Sequence, residues 1–308
     1  MHLLRGVRGR AARRDLPQLR RQFRAAADPA GGEAGALPGL DAAQGAAVIE
    51  ERRPPPRVLV VAGSDSGGGA GIQADIKTIT MLGGFATTAI TAVTAQNTLG
   101  VSAVMPVPAE MVLAQIDAVL SDIGADAVKI GMIGSAATAE AVAERLARVS
   151  VPIVFDPVMV ATSGSELADA ATIAAFGRLM RIASVVTPNL PELAALGGEE
   201  AVLAHGCHLL AKGGHGEGWE IVDAIVSPDG ARWELRGKRF DTEDTHGTGC
   251  TMASALACGL GAGLSIQQAF EQAVRFVRTA ILEAPGFGGG CGPIGHQGVT
   301  DFRWNDLD

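Results

Sequence analysis

A run of small and polar residues late in the chain has the composition of an anion-binding turn. It extends from Asp244 to Thr251 with the sequence Asp-Thr-His-Gly-Thr-Gly-Cys-Thr, and it leads directly into an apolar run from Met252 to Leu264. Small residues let the backbone aim successive N–H groups at one point, and a helix that begins there adds a partial positive charge. The same field is expected to lower the pKa of the Cys250 thiol toward thiolate. The segment therefore predicts phosphate chemistry.

Polar residues also follow each predicted strand of the chain. In an open α/β sheet, ligands bind outside the carboxyl ends of the strands. Core packing does not require carboxylates, amides and a lysine at that edge, so the pattern predicts a binding crevice there. The residues in question are Gly63-Ser64-Asp65, Gln96-Asn97, Gly131-Met132, Asp156-Pro157, Thr187-Pro188-Asn189 and Lys212-Gly213-Gly214.

Asn189 and Glu192 have the spacing of two alternative devices. Their amide and carboxylate oxygens would hold Mg²⁺ directly or through water, because Mg²⁺ prefers hard oxygen ligands. The same spacing, with Pro191 between them, is that of a helix capping box. Asp156, at a strand end near the same edge, favours the metal.

For two further segments, an ordinary structural explanation competes with a role in ligand binding or catalysis. Lys212 precedes two glycines and would reach a transferring phosphoryl group, or it is an ordinary solvated lysine of a loop. The glycine-rich segment from Gly67 to Gly71 would cradle a phosphate or bring the backbone close to a ligand. It does not have the spacing of a P-loop or of a dinucleotide-binding fingerprint.

These residues must be positioned by a βαβ alternation that begins at Val58. Two closing helices follow a predicted antiparallel hairpin, so the pattern favours a largely parallel sheet with helices on both faces. The predicted strands are Val58–Ala62, Thr87–Val93, Ala127–Ile130, Ile153–Phe155, Ser184–Thr187, and the hairpin Trp219–Val226 with Trp233–Phe240. The predicted helices are Gly71–Leu82, Ala109–Ile123, Ala136–Val149, Leu167–Met180, Gly249–Gly261 and Ile266–Glu283.

Composition restricts the class of protein. The chain has 308 residues, 47% hydrophobic content and a net charge of -8, which suits one large α/β domain and argues against nucleic acid as a partner. It contains no apolar run of the length that a membrane span needs. Four cysteines without close spacing favour a reducing cytoplasm. The Arg-rich, Lys-free residues 1–57 are expected to be a disordered extension.

Seven ordered blocks between about Val58 and His296 resemble the hydroxymethylpyrimidine/phosphomethylpyrimidine kinases of thiamine biosynthesis. These belong to the ribokinase-like superfamily, so the resemblance implies a three-layer α/β/α sandwich, with a central mostly parallel sheet and a C-terminal antiparallel hairpin. The kinase domain would span 58–296, with a tail at 297–308. The blocks begin at Ala62, Thr94, Lys129, Asp156, Thr187, Lys212 and His246.

The resemblance also implies an activity and a set of roles. Such enzymes use ATP and Mg²⁺ to phosphorylate 4-amino-5-hydroxymethyl-2-methylpyrimidine and then extend the monophosphate to the diphosphate, and a homodimer is expected. By matching motifs, the substrate contacts would be Gln96, Asp75, Gly63, Met132 and Val158. ATP would be bound by Thr187, Asn189, Lys212 and Thr245, and Mg²⁺ organised by Asp156 and Glu192. Catalysis would rest on Lys212 and on an anion hole that includes Gly247, Gly249 and Cys250.

Cys250 carries a more specific hypothesis. Many sugar kinases of the superfamily have an aspartate at this point, because an alcohol nucleophile benefits from a general base. A thiolate would serve the first phosphorylation, whereas the phosphate nucleophile of the second step is already ionised. Cys250→Ala is then expected to slow the first step more than the second.

Three alternatives remain open at this stage. A pyridoxal or pyridoxine kinase would share the anion hole, although Gln96 and Met132 favour the pyrimidine. A non-catalytic pyrimidine-binding protein would not require Lys212 and Glu192, so their presence argues against that alternative. A dinucleotide oxidoreductase lacks a properly placed fingerprint.

Overall fold

The computed structural model describes residues 54–162, 164–215 and 218–300. The strands are β1 (Arg57–Asp65), β2 (Phe85–Asn97), β3 (Gly100–Pro106), β4 (Ala127–Ile130), β5 (Ile153–Phe155), β6 (Val185–Val186), β7 (His208–Ala211), β8 (Glu220–Val226) and β9 (Arg232–Lys238). The helices are α1 (Gly71–Met81), α2 (Ala109–Asp122), α3 (Ala136–Leu146), α4 (Ala170–Met180), α5 (Leu190–Ala195), α6 (Glu199–Leu203), α7 (Thr248–Gly261) and α8 (Ile266–Leu282).

The strands form one sheet in the order β3-β2-β1-β4-β5-β6-β7-β8-β9. The six strands from β2 to β7 are parallel, and β3, β8 and β9 are antiparallel to their neighbours. Because β1 lies between β2 and β4, the chain leaves it toward one side of the sheet and later returns to the other. The carboxyl edge beside β1 is where an open sheet of this kind offers a crevice.

Alternate side chains of β1 supply two separate cores. Val58 and Val60 pack on one face with α1, α7 and α8, whereas Leu59 and Val61 pack on the other with α2, α3 and α4. All four side chains are fully buried, as expected for a parallel strand covered on both faces. The predicted three-layer α/β/α sandwich with a mostly parallel sheet is confirmed.

Side-chain caps set several helix boundaries. The predicted helix Leu167–Met180 begins only at Ala170, because the Asp169 carboxylate accepts from the backbone N–H of Thr172 at 2.8 Å and fixes the start there. Ser265 and Gln268 form a reciprocal capping box at the start of α8.

The sheet is more extensive at its edges than predicted. Strand β2 continues past Val93 to Asn97 and pairs with β3, which the sequence analysis missed. Residues of β3 are half-buried or exposed throughout, so this strand lacks the alternation that identifies a half-buried strand. The predicted hairpin is confirmed as β8–β9, with an Asp229-containing turn.

At each end of the predicted domain, one residue outside its predicted bounds belongs to the described fold. The predicted N-terminal extension lies outside the described residues up to position 53, and Arg57 already belongs to β1. Val299, within the predicted tail, is fully buried in the core that contains α7 and α8. Within the described part of the chain, no helix is long and apolar enough to cross a membrane.

Candidate active site

A cavity of about 1210 Å³ opens along the carboxyl edge of the sheet. It is lined by residues of β1, β2 and of the loops that follow β4, β5, β6, β7 and β9. Twelve of the fourteen predicted site residues line it: Gly63, Gln96, Met132, Asp156, Val158, Asn189, Glu192, Lys212, Thr245, Gly247, Gly249 and Cys250. The two that do not, Asp75 and Thr187, are fully buried behind it.

The predicted anion-binding turn forms the first turn of α7. Gly247 is its N-cap with a φ of 90°, a left-handed conformation that favours glycine, and no side chain caps the helix. A Cβ on Gly247 would overlap the Gly69 carbonyl oxygen. The first N–H groups of a 14-residue helix therefore face the cavity without a side-chain partner, which is the arrangement of an anion site.

Lys212 brings a positive charge to this turn. Its Nζ lies 3.1 Å from the position of a Cβ on Gly249, and it donates to Asp156 Oδ1 at 2.7 Å. Burial alone would lower the pKa of Lys212, but the carboxylates of Asp156 and Glu192 raise it above its usual value. Lys212 is therefore an ammonium ion held at the helix N-terminus, and the alternative of a solvated loop lysine is wrong.

Asp156 is held by two neighbours that orient its carboxylate. Besides Lys212, the Thr187 hydroxyl donates to Asp156 Oδ1 at 3.1 Å. This geometry corrects the expected direct contact of Thr187 with ATP, because Thr187 lies behind Asp156 and not on the cavity surface.

Asn189 and Glu192 form the predicted capping box. The Glu192 N–H donates to Asn189 Oδ1, and Glu192 Oε2 accepts from the Asn189 N–H, both at 2.8 Å. Burial raises the pKa of Glu192, with Lys212 opposing that rise. Both residues still line the cavity although they form the capping box. There the pair lies close to Asp156 and Lys212.

Cys250 departs from the expectation for a thiol at a helix N-terminus. It lines the cavity, but burial raises its pKa to about 11, with Lys129 opposing that rise and Asp75 and Asp156 adding to it. The prediction of a lowered pKa is wrong, because desolvation of the thiolate outweighs the nearby positive charge.

Asp75 also has a different place from the one expected. Its carboxylate is fully buried, receives both contacts of Lys129 Nζ at 2.9 and 3.0 Å, and accepts from the Ser254 hydroxyl at 2.6 Å. The Asp75 carboxylate therefore lies beneath the cavity, and the structure does not place it where the expected direct contact with a pyrimidine would be made. Lys129 was not among the predicted site residues.

A pair of residues missed by the sequence analysis joins two loops of the cavity. His246 Nε2 lies 2.9 Å from Asp65 Oδ2, and 3.3 Å from the Gln96 side-chain amide. Asp65 also accepts from the N–H groups of Gly67 and Ala70, and a Cβ on Gly69 would overlap the His246 ring. The glycine-rich segment thus brings its backbone close to His246. The signal was present, since both residues lie within motifs already singled out.

An ammonium ion, two carboxylates and an open helix N-terminus at the edge of a parallel sheet suit the transfer of a phosphoryl group. Together with the mostly parallel sheet, its antiparallel C-terminal strands and the helices on both faces, this site defines the protein as a ribokinase-like kinase.

Comparisons with known proteins narrow that class. The family model for phosphomethylpyrimidine kinase matches residues 65–295. A hydroxymethylpyrimidine/phosphomethylpyrimidine kinase of Streptomyces coelicolor is 47% identical, over 74% of this chain and 89% of its own length. A thiamine biosynthesis multifunctional protein of Corynebacterium efficiens is 42% identical over 75% of this chain, which spans only 34% of that longer protein.

Solved structures agree with the sequence relatives. A phosphomethylpyrimidine kinase from Clostridium difficile matches with a TM-score of 0.64 and 35% identity, over 73% of this chain and 99% of its own. A pyridoxal kinase from Staphylococcus aureus in complex with AMP-PCP and pyridoxal matches with a TM-score of 0.73 and 29% identity, over 83% and 97%. The chain belongs to the phosphomethylpyrimidine kinase family.

Proposed function

We propose that this chain uses ATP to phosphorylate 4-amino-5-hydroxymethyl-2-methylpyrimidine and then its monophosphate, which yields the diphosphate for thiamine diphosphate biosynthesis. One observation carries the proposal. The ammonium group of Lys212 and the open N-terminus of α7 share a single cavity with the carboxamide of Gln96. A phosphoryl-binding end and an end complementary to an aminopyrimidine therefore face the same space.

The pyrimidine end combines one polar group with apolar surroundings. The Gln96 carboxamide offers a donor and an acceptor side by side, which match the ring nitrogen and amino group of a 4-aminopyrimidine. Met132 and Val158 supply apolar contact. Gly63 leaves room for the Met132 sulfur, which would lie 2.9 Å from a Cβ at that position.

The phosphate end is suited to a nucleotide with Mg²⁺. In the described residues no cluster of three or more His, Cys, Asp or Glu side chains could enclose a metal ion. Mg²⁺ in kinases is bound by one or two carboxylates together with water and phosphate oxygens, so Asp156 and Glu192 fit it. Bound there, Mg²⁺ would neutralise phosphate charge. Lys212, Asn189 and Thr245 would contact the phosphates.

Pyridoxal is the second candidate substrate, because the matched Staphylococcus aureus pyridoxal kinase has the same fold. A 3-hydroxypyridine does not offer the adjacent acceptor and amine that suit Gln96, so we expect the pyrimidine to be preferred. A non-catalytic binding protein would bind the pyrimidine without turnover.

The proposal is tested by incubating the protein with ATP and Mg²⁺ and either the hydroxymethylpyrimidine, its monophosphate or pyridoxal, with mono- and diphosphate products resolved. Diphosphate formed from the pyrimidine is the expected result. Lys212→Met should lower turnover by 100-fold or more, because the Lys212 charge stabilises the transferred group by about 3 kcal/mol. The variant should still bind the pyrimidine. Turnover of pyridoxal alone would contradict the assignment of Gln96.

We further propose that the protein is a homodimer through the outer edge formed by β2 and β3. This edge exposes apolar side chains that a monomer rarely gathers, and among the described strands none pairs with the outer edge of β3. The exposed side chains include Val93, Leu99, Val104 and Met105. Light scattering of the wild-type protein should give twice the chain mass, and Met105→Lys should shift the protein toward the monomer. A wild-type protein that is a monomer would refute the proposal.

A further inference from the structure

The contact with Asp65 determines which ring nitrogen of His246 must carry a hydrogen. Although burial raises the pKa of Asp65, hydrogen bonds from His246 and from the N–H groups of Ala70 and Gly67 bring it below its usual value, so the carboxylate is ionised at neutral pH. A carboxylate only accepts hydrogen bonds. The 2.9 Å contact with Asp65 Oδ2 therefore requires the hydrogen on His246 Nε2.

A second group constrains the other end of the Gln96 side chain. The structure has Gln96 Nε2 3.3 Å from His246 Nε2 and Gln96 Oε1 3.2 Å from Thr94 Oγ1, and a 180° rotation of the planar amide exchanges these two atoms. The Thr94 hydroxyl also has the Ser64 carbonyl oxygen as an acceptor at 3.1 Å. If its single hydrogen goes to Ser64, Thr94 can only accept from Gln96.

The His246 Nε2–H donor requires an acceptor atom of the amide on its side, and with the Thr94 hydrogen on Ser64 both groups are satisfied by the same single orientation of the planar amide. We propose that His246, held by Asp65, is a positioning residue that fixes the Gln96 carboxamide with Oε1 toward His246 and Nε2 toward Thr94. The His246 N–H is then shared between Asp65 and Gln96 Oε1. In the opposite orientation two donors, Gln96 Nε2 and His246 Nε2, would face each other in a site where His246 is buried.

This orientation determines which way a 4-aminopyrimidine lies, and this step rests on the proposed function. Gln96 Oε1 accepts from the 4-amino group and Nε2 donates to the neighbouring ring nitrogen. The 4-amino group is adjacent to the carbon that bears the hydroxymethyl group. The hydroxymethyl group is then on the His246 side of Gln96, and His246 directly precedes Gly247, the N-cap of the anion-binding turn.

The test uses an analogue with the opposite hydrogen-bonding pattern. The corresponding 4-oxo pyrimidine has an acceptor where the amine was and an N–H where the ring nitrogen was. A fixed amide opposes both, so wild-type kcat/KM should favour the amino compound by about 100-fold. Two variants lack the N–H donor, His246→Leu and the ring-preserving His246→Phe. Their amide is free to turn, so the ratio should fall to about tenfold or less, with the KM for ATP unchanged.

His246→Gln is the matched control, because its Nε2 has two hydrogens that can reach Asp65 and Gln96 together. It should retain most of the wild-type ratio. If a variant turns over too slowly, calorimetric binding of the two pyrimidines gives the same ratio, and thermal melting shows which variants are folded.

The outcomes separate two failures. A wild type that does not phosphorylate the aminopyrimidine refutes the proposed function. A wild type that turns over the aminopyrimidine but accepts the 4-oxo compound equally well overturns the positioning role alone, and so does an unchanged ratio in the folded Leu or Phe variant.

Discussion

At the scale of single residues, two effects act on Cys250 in opposite directions. The N-terminus of α7 and the ammonium of Lys129 favour a thiolate, whereas removal of the sulfur from water favours the thiol. Burial is the larger effect here, and it raises the pKa to about 11. At neutral pH the side chain is therefore an S–H group that lines the cavity, and it is not prepared to accept a proton from a substrate alcohol.

The first prediction follows from that protonation state. A base is needed only for the first phosphorylation, so a Cys250 that is not a base should matter equally in both. We expect Cys250→Ala to lower kcat of the two steps alike, by about tenfold or less. The measurement is the rate of each step with the hydroxymethylpyrimidine and its monophosphate as separate substrates, with Cys258→Ala as the control for loss of a buried thiol. A loss confined to the first step would restore the general-base hypothesis.

The residue types predicted which chemical groups gather at the site, but not which of them lie on the cavity surface and which lie behind it. Gln96 and Lys212 were predicted because they follow strands and cannot be explained by packing. Asp75 and Thr187 were assigned to ligands, whereas the structure buries both side chains fully, Asp75 against Lys129 and Thr187 against Asp156. A motif shows that a polar residue is near the ligand, whereas its rotamer and partners depend on elements distant in sequence.

At the scale of elements, a buried ion pair joins three parts of the fold beneath the cavity. Lys129 belongs to β4, Asp75 to α1 and Ser254 to α7, and all three are fully buried. Burial alone would lower the pKa of Lys129, but Asp75 and the nearby Cys250 and Asp156 raise it above its usual value. Burial raises the pKa of Asp75, with Lys129 and the Ser254 hydroxyl opposing that rise. The two groups are desolvated and hydrogen-bonded to each other, so removal of one partner leaves the other unpaired in the core.

The second prediction concerns this pair. Lys129→Met should lower the free energy of unfolding by about 3–5 kcal/mol, because it leaves the Asp75 carboxylate without its counter-ion. Combining it with Asp75→Leu should recover most of the loss. Urea denaturation of the single and double variants measures this coupling, and Ser254→Ala serves as a control that removes one hydrogen bond, for about 1 kcal/mol. Additive losses in the double variant would contradict a charged pair.

Helices and strands were predicted correctly where the sequence carries one strong pattern, such as a run of apolar residues. Strand β1 contains a continuous apolar run from Val58 to Ala62 because both its faces are covered, and β4 is buried throughout although it includes Lys129. Strand β3 and the five-residue helix α6 were missed, since one is exposed and the other is too short to show a periodic pattern. The position of β3 is set by its pairing with β2, and that of α6 by the link into β7. Both depend on the surrounding fold and not on a local sequence pattern.

At the scale of the whole molecule, the segment after α8 closes the fold. Gly292 accepts from the His246 N–H at 3.0 Å, and Gly295 donates to Ala280 at 2.8 Å. Beyond them, the His296 ring is buried, with its Nε2 2.8 Å from the Thr251 hydroxyl of α7. The C-terminal segment therefore contacts both the anion-binding turn and the helix that follows it, so its detachment would disturb the site.

The last prediction is a dependence of stability on pH through this contact. Burial lowers the pKa of His296 from 6.5 to about 4, helped by the charge of Lys77. A histidine that is buried neutral stabilises the fold fully above its unfolded pKa, and this contribution is lost as the pH falls from about 6.5 to about 4. The full difference corresponds to about 3 kcal/mol, of which about 2 kcal/mol should be lost at pH 5.

His296→Gln isolates this effect, because glutamine can still reach Thr251 but does not titrate. Urea denaturation at pH 7.5 and pH 5.0 gives the loss of unfolding free energy for each protein. The wild type should lose about 2 kcal/mol more than the variant over this range. Equal losses in the two proteins would mean that His296 is not buried as a neutral ring, and that the C-terminal segment is attached to α7 less firmly than the Thr251 contact indicates.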